Sequence, residues 1–501
     1  MKSRALLALL TLSMAHSLAA AAPVELPDAN LKAAVEQTLG VTNPTADDMA
    51  RLTRLSAGSR QIASLAGIEH AVNLTYLCAH NNQISDIGPV AKLTKLNYLC
   101  LRDNRISDIA PVASLKDLTY LNLWKNQVAD ITAVAELTKL TELWLAENRI
   151  EDISAVAHLK TLTKLFVFRN RVTDIRPVTG LAELTGLSIY GNRITDISPV
   201  AGLTKLEFLW AGENQITDAS PVAKLTELPK LSLYKNSISD ISTLAALTKL
   251  TMLELQDNQI ADISAVASMP ELTFLWISGN RISDISAVAK LRNLTDLRLY
   301  DNQISDVSAA MGLTKLRELS LKGNPVTTLG KRPSEIKGFT LELDPSQFTA
   351  ISGAAAADTG QIAVNGSLTE LSLHRDNCTI SVPTGAGDTT LPAGKYTLAN
   401  WAIERKDAEG NAWKMTGSNF PNKGEFQVPK EGKAELKIGE PIVCSLQVTQ
   451  RSGNYAAVQT VKGQMGEAVG ITVNGSQPAP PKLRVKNKEG TYNQTFDFKY
   501  G

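Results

Sequence analysis

The sequence predicts an α/β-type repeat solenoid, a curved parallel β-sheet backed by short 3₁₀ turns and opened by a helical cap. An all-β, sandwich-like C-terminal domain follows. Three observations predict this. Asparagine returns every 22 residues, at 82, 104, 126, 148, 170, 192, 214, 236, 258, 280, 302 and 324, and a fixed period of this length marks stacked repeats. Leucines alternate with other residues before each asparagine, as in Leu99-Cys100-Leu101, the period of a strand with one buried face. After residue 360 the period is lost and short alternating segments take over, a pattern of antiparallel β structure.

The first element is a leader. Residues 1–22 carry Lys2 and Arg4, an apolar run and a small-residue end at Ala19–Ala22, the layout of a secretory signal. The chain is therefore expected to be exported: secreted, periplasmic or at the cell surface. No later segment is apolar enough to span a bilayer, and the C-terminal TFDFKYG carries no wall-sorting motif. Without Lys2 and Arg4 the chain holds 49 basic and 50 acidic residues. That balance argues against electrostatic capture of nucleic acid.

Residues 23–61 read as the cap and a degenerate first rung. Asp28 is placed as a helix N-cap, with Leu31, Val35 and Leu39 on one face and Gly40 as the stop. TADDMARL reads as a second short helix, and Arg60 stands in the asparagine slot. Residues 62–330 hold about twelve repeats near L-x-x-L-x-L-x-x-N-x-I-x-D-I-x-x-V-A-x-L-T-x, a leucine-rich repeat pattern. The leucines point inward. The asparagine side chain is expected to satisfy backbone groups of its own turn and of the next rung. The aspartate four residues on, from Asp86 to Asp306, is expected to cap the outer turn. One carboxylate per 22 residues is not a calcium loop.

The strand positions flanking the inward leucines line the concave face in three columns. The first holds Tyr76, Tyr98, Tyr120, Phe208 and Phe274. The second holds Trp144, Phe166, Trp210 and Trp276. The third holds Trp124, Phe168, Tyr190, Tyr234 and Tyr300. These are all the aromatic residues between 24 and 330. Large rings confined to water-facing columns predict a binding face, with Glu142, Lys164, Glu254, Asp296, Arg298 and Glu318 supplying orientation. A protein partner fits this mixture best. A glycan stacking on the rings is the second reading, and ladder stabilisation by ring stacking, a purely structural scaffold, the third.

The cap LPDANLKAAVEQTLG, the phrase LAGIEHAVNLTYL and repeats such as NRISDIAPVASLKDLTYLNL resemble the internalin family of secreted bacterial leucine-rich repeat proteins. The resemblance covers about residues 24–330. It implies a concave face that grips a protein on another cell's surface with exposed aromatics. By position that role would fall on Trp124, Trp144, Phe166, Trp210 and Trp276. The repeat is also similar to that of an intracellular phosphatase regulator, against which the leader argues.

Residues 331–360 read as a C-terminal cap and linker, and 361–501 as a β-rich domain with a hairpin turn at KDAEGNAW. In an exported chain Cys378 and Cys444 are candidates for a disulfide. Cys78 and Cys100 share a column on adjacent rungs, which leaves open a bonded pair or two stacked thiols. With His80 they make a partial zinc set lacking an evident fourth ligand, and no metal or other cofactor is expected. The scattered histidines offer no base beside a nucleophile, so no enzyme is expected.

Overall fold

The computed structural model describes residues 22–329 without a break, then 340–352, 358–363, 368–375, 378–384, 388–407, 409–436, 438, 443–451, 454–476, 482–486 and 493–497. The expected leader lies outside these apart from Ala22. The chain divides into two compact units, residues 1–214 and 215–501.

The first unit opens with a helix, Ala29–Leu39, capped by Asp28 and stopped at Gly40 with φ 71°. Leu31, Ala34 and Val35 form its buried face, and Leu39 is only half-buried. The Asp28 carboxylate also accepts hydrogen bonds from the Ala63 and Ser64 amides at 2.7 and 3.1 Å, so one side chain caps the helix and ties it to the first rung. The second helix, Ala46–Ala50, begins with a reciprocal Thr45–Asp48 capping box. Eight three-residue strands follow at the 22-residue interval, from Arg54–Ser56 to Phe208–Trp210. They pair in parallel with repeats in step, Leu77 opposite Leu99 and Leu99 opposite Leu121. These leucines are fully buried.

The asparagines form the expected ladder. Asn126 donates through Nδ2 to the carbonyls of Leu101, Leu123 and Trp124 and accepts from the Ile106 amide at 3.0 Å. Each rung thus closes its own turn and pins the preceding rung. At the degenerate first rung the Arg60 amide still donates to Asn82, while its guanidinium reaches Gln37 of the cap helix at 2.7 Å. The residue before each asparagine takes a left-handed conformation. Lys125 (φ 57°) and Arg169 (φ 51°) bear the strain that Gly191 (φ 67°) avoids.

The repeated aspartates cap the short helical segments opposite the sheet, 3₁₀ in each rung but the last, where Ser308–Met311 is α-helical. In every rung from Asp86 to Asp306 the carboxylate accepts from the amide two residues on, at 2.7–2.9 Å. That bond is the largest cause holding Asp130, Asp240 and Asp262 below the usual carboxylate value of 3.8. A carboxylate lowered by folding stabilises the fold above the unfolded value, and the gain is lost as pH falls through the folded values. Thermal unfolding followed by circular dichroism should therefore show a midpoint that declines below pH 3.8. Substituting several of these aspartates by asparagine together should flatten the decline. An unchanged acid profile would exclude the caps as its source.

The second unit continues the repeat with strands from Lys230–Ser232 to Glu318–Ser320. A further strand, Thr340–Leu343, joins in parallel, and a helix, Pro345–Ser352, follows where the sequence reads as cap and linker. Gln347 is buried and donates to the carbonyls of Leu321 and Asn324 at 2.7 and 2.6 Å, closing the end of the repeat core. Beyond it the strands pair mostly antiparallel, as expected. Gly394–Lys406 pairs with Ala412–Ser418 at the anticipated hairpin, where Asp407 accepts from the Glu409 and Asn411 amides and from Trp413 Nε1. Two pairings run parallel instead: Thr340–Leu343 with Cys378–Ser381, and Thr359–Ala363 with Lys433–Glu435. Both join segments distant in sequence, which no hairpin signal marks. The strands Thr359–Ala363 and Thr389–Pro392 pair antiparallel, and Asn454–Lys462 pairs antiparallel with Val443–Arg451.

Candidate binding face

Strand alternation sends the aromatic columns to the face of the sheet away from the leucine core. In the first unit they do not stand singly. Tyr76, Tyr98 and Tyr120 stack face to face, with centroids 4.4 and 4.2 Å apart, and the Arg54 guanidinium covers the free face of Tyr76 at 4.0 Å. Burial is the main cause that pushes these three phenols up in pKa, so the stack stays neutral.

Further along, Trp144 stacks on Phe166 at 3.7 Å and Phe168 on Tyr190 at 4.5 Å. Trp124 meets Phe168 edge-on at 5.6 Å and carries Arg102 over its ring at 4.8 Å. Two small residues make room. Ala146 lies at the centre of this cluster. Gly186 lies under Phe208, whose Cζ would be 2.3 Å from any Cβ there. The cluster is a second apolar core on the open face. Phe166 and Phe168 are only 6% exposed, because Trp124, Trp144, Tyr190 and Phe208 pack over them. Their column position predicts a water-facing ring, and the neighbouring rings overturn it.

Trp210 keeps 37% of its surface exposed, tilted against Phe208 at 4.5 Å. In the second unit Phe274 is 41% exposed and meets Trp276 edge-on at 6.5 Å, with Arg298 over the Trp276 ring at 4.0 Å. Tyr234 carries Lys235 at 6.0 Å, and Tyr300 is half-buried. The polar residues picked out from sequence are partly engaged. Glu142 accepts from Trp144 Nε1 at 3.3 Å and from Lys164 at 3.1 Å, and Asp296 accepts from Arg298 at 3.4 Å. Trp124 Nε1 and Trp276 Nε1 have no acceptor among the described residues. Sequence reasoning missed Arg54 and Arg102. Their signal was only that each stands one period before an aromatic of its own column.

Cys78 and Cys100 lie opposite each other on adjacent strands. They are thiols and not the disulfide held open from sequence. Parallel strands project their Cβ atoms side by side, which does not set the near-perpendicular turn a disulfide needs. A hydrogen bond from the Cys100 thiol, stronger than the opposing effect of burial, and the nearby His80 pull the Cys78 thiol well below the ordinary range. The same bond pushes Cys100 up. Cys378 is buried in its strand, and the Cys444 side chain lies outside the described residues, and with it the expected bond between them.

Comparison with known proteins agrees with this architecture. Residues 51–328 match a family model described as a leucine-rich repeat region. The curated proteins contain no match to the chain. Among solved structures, the internalin InlF of Listeria monocytogenes is 36% identical over 64% of this chain and 97% of its own, with a TM-score of 0.62. The functional domain of InlJ from the same organism, which includes a cysteine ladder, is 20% identical over 89% of this chain and 96% of its own, with a TM-score of 0.50, a likeness of fold alone. With the asparagine ladder, the capped 3₁₀ turns and the helical cap in place, the chain belongs to the leucine-rich repeat family and, within it, to the internalin-like proteins.

Proposed function

We propose that this chain is an exported, non-catalytic binding protein that recognises a protein partner through the aromatic face of its repeat. The observation that carries the reading is the exposure of Trp210 and Phe274. Besides Val72 they are the only exposed large apolar side chains among the described residues, and both lie in the face columns. Rings of this kind, surrounded by apolar neighbours that exclude water, are what interfaces use as anchors. The leader at residues 1–22 supports export, and no helix among the described residues is long and apolar enough to cross a membrane.

The stacking geometry favours protein over glycan. A sugar binds on the open face of a ring, and nine of the rings here already have at least one face against another ring or an arginine. Edges and tilted anchors suit side-chain contacts better.

The test is binding of the purified mature chain to surface-protein extracts and to polysaccharides in parallel, with Trp210→Ala and Phe274→Ala variants. Each substitution should weaken a saturable protein interaction by more than about 10-fold, as an anchor residue does. Unfolding should shift by less than about 1 kcal/mol, because both rings are already partly in water. Ring-dependent capture by polysaccharide alone would replace the proposal with glycan binding. A large stability loss with no ring-dependent capture would mark the face as architecture.

A further inference from the structure

We propose that Cys78, His80 and Cys100 form a binding site for a thiophilic closed-shell cation, zinc(II) or copper(I), on the open face of the first unit. The strand register sets Cys78 opposite Cys100, and alternation brings His80 to the same side as Cys78. His80 Nδ1 is 3.3 Å from Cys78 Sγ, and the two sulfurs and the imidazole nitrogen all lie within 4.8 Å of one another. A tetrahedral ion at ordinary bond lengths holds sulfur and nitrogen about 3.5 Å apart and two sulfurs about 3.8 Å apart. Closing the three ligands on an ion therefore takes movements of at most about 1 Å.

A second feature shapes the seat. The residue one period before His80 is Gly58. A Cβ there would stand 2.2 Å from His80 Cε1 and 2.5 Å from Nδ1, so any side chain at 58 displaces the imidazole from its place beside Cys78. In neighbouring rungs the same two columns hold Asn122, Trp124, Trp144 and Ala146, so the ligand types converge at one point of the array. Two thiolates and an imidazole, with no carboxylate in the set, select a soft cation over calcium or magnesium. Three protein ligands leave the ion one position for water or an incoming group.

The experiment uses the reduced mature chain, stripped with a chelator. Zinc(II) and copper(I) are titrated separately against chromophoric competitors of known affinity, and cobalt(II) serves as the spectroscopic probe. The expected result is one ion per chain with a thiolate-to-cobalt charge-transfer band. The Cys78→Ser and Cys100→Ser chains should lose the band, and affinity should fall by more than the 10–100-fold of an outer-shell change. His80→Ala should weaken binding and alter the band. Gly58→Val, which removes no ligand and acts only by displacing the imidazole, should weaken binding while the far-ultraviolet dichroism stays unchanged. Absence of stoichiometric binding, or binding that persists in the Cys78→Ser/Cys100→Ser chain, would overturn the proposal. Preference for zinc or for copper in the two titrations identifies the ion.

Discussion

Asn280→Ala should destabilise the second unit by about 3–4 kcal/mol, one of the largest single-site losses available in the repeat. The Asn280 amide donates to the carbonyls of Leu255, Ile277 and Ser278 at 2.9–3.1 Å and accepts from the Ile260 amide at 3.0 Å. The side chain is 9% exposed, so water has little access to the groups it serves. Alanine leaves the Ile260 amide, a buried donor, without its partner, at about 1–3 kcal/mol. It also removes three hydrogen bonds worth about 0.5–1.5 kcal/mol each from the carbonyls of Leu255, Ile277 and Ser278, which keep Asn258, Asn302 and the Asp257 amide as donors. Stability in a repeat array is a sum of local and nearest-neighbour terms. The loss should therefore show as faster hydrogen exchange at Ile260 and in the flanking strands Met252–Glu254 and Phe274–Trp276, with distant rungs little changed. A loss below about 1 kcal/mol would mean that water replaces the amide and that the ladder is not the main clamp between rungs.

Trp401→Ala should cost about 3–5 kcal/mol and weaken the near-ultraviolet signal of the C-terminal β region, leaving that of Trp413. Trp401 is 1% exposed. Its Nε1 donates to Glu467 Oε1 at 2.8 Å, and Glu467, fully buried, also accepts from the Met465 amide at 2.9 Å. Truncation opens a large cavity and strips a buried carboxyl group of a partner. Trp401→Phe separates the two effects, since it keeps most of the ring and removes only the N–H. Gly417 supplies the converse test, because a Cβ there would lie 2.1 Å from Trp401 Cε2. Gly417→Ala should destabilise by about 1–3 kcal/mol through overpacking. If Trp401→Phe proved as damaging as Trp401→Ala, the hydrogen bond to Glu467 would outweigh the packing.

The two residues differ in how far the sequence foretells them. Asn280 is legible because its partners recur at constant offsets, 20 residues before for the amide it accepts and 25 before for the far carbonyl. The same regularity exposes the inward leucines and the capping aspartates. Trp401 and Glu467 are 66 residues apart, in a region with no period, and nothing local marks them as partners. The strand segments around them were legible from alternation. Their pairing, parallel at two places, was not, because register between distant strands depends on which faces must be buried together.

For the binding face the division falls within single columns. The sequence by itself determined which residues leave the core: a 22-residue period and a two-residue alternation send every aromatic of the repeat to the open side of the sheet. Only the tertiary structure decided what each ring does there. Phe166 and Phe168 are covered while Trp210 and Phe274 stand out, Arg54 and Arg298 lie on rings, and His80 turns to Cys78 over Gly58. The physical reason is that backbone periodicity fixes the direction of a Cα–Cβ bond, whereas a side chain's final position depends on the space its neighbours leave. That space is set by Gly58, Ala146 and Gly186, small residues one or more rungs away from the groups they accommodate.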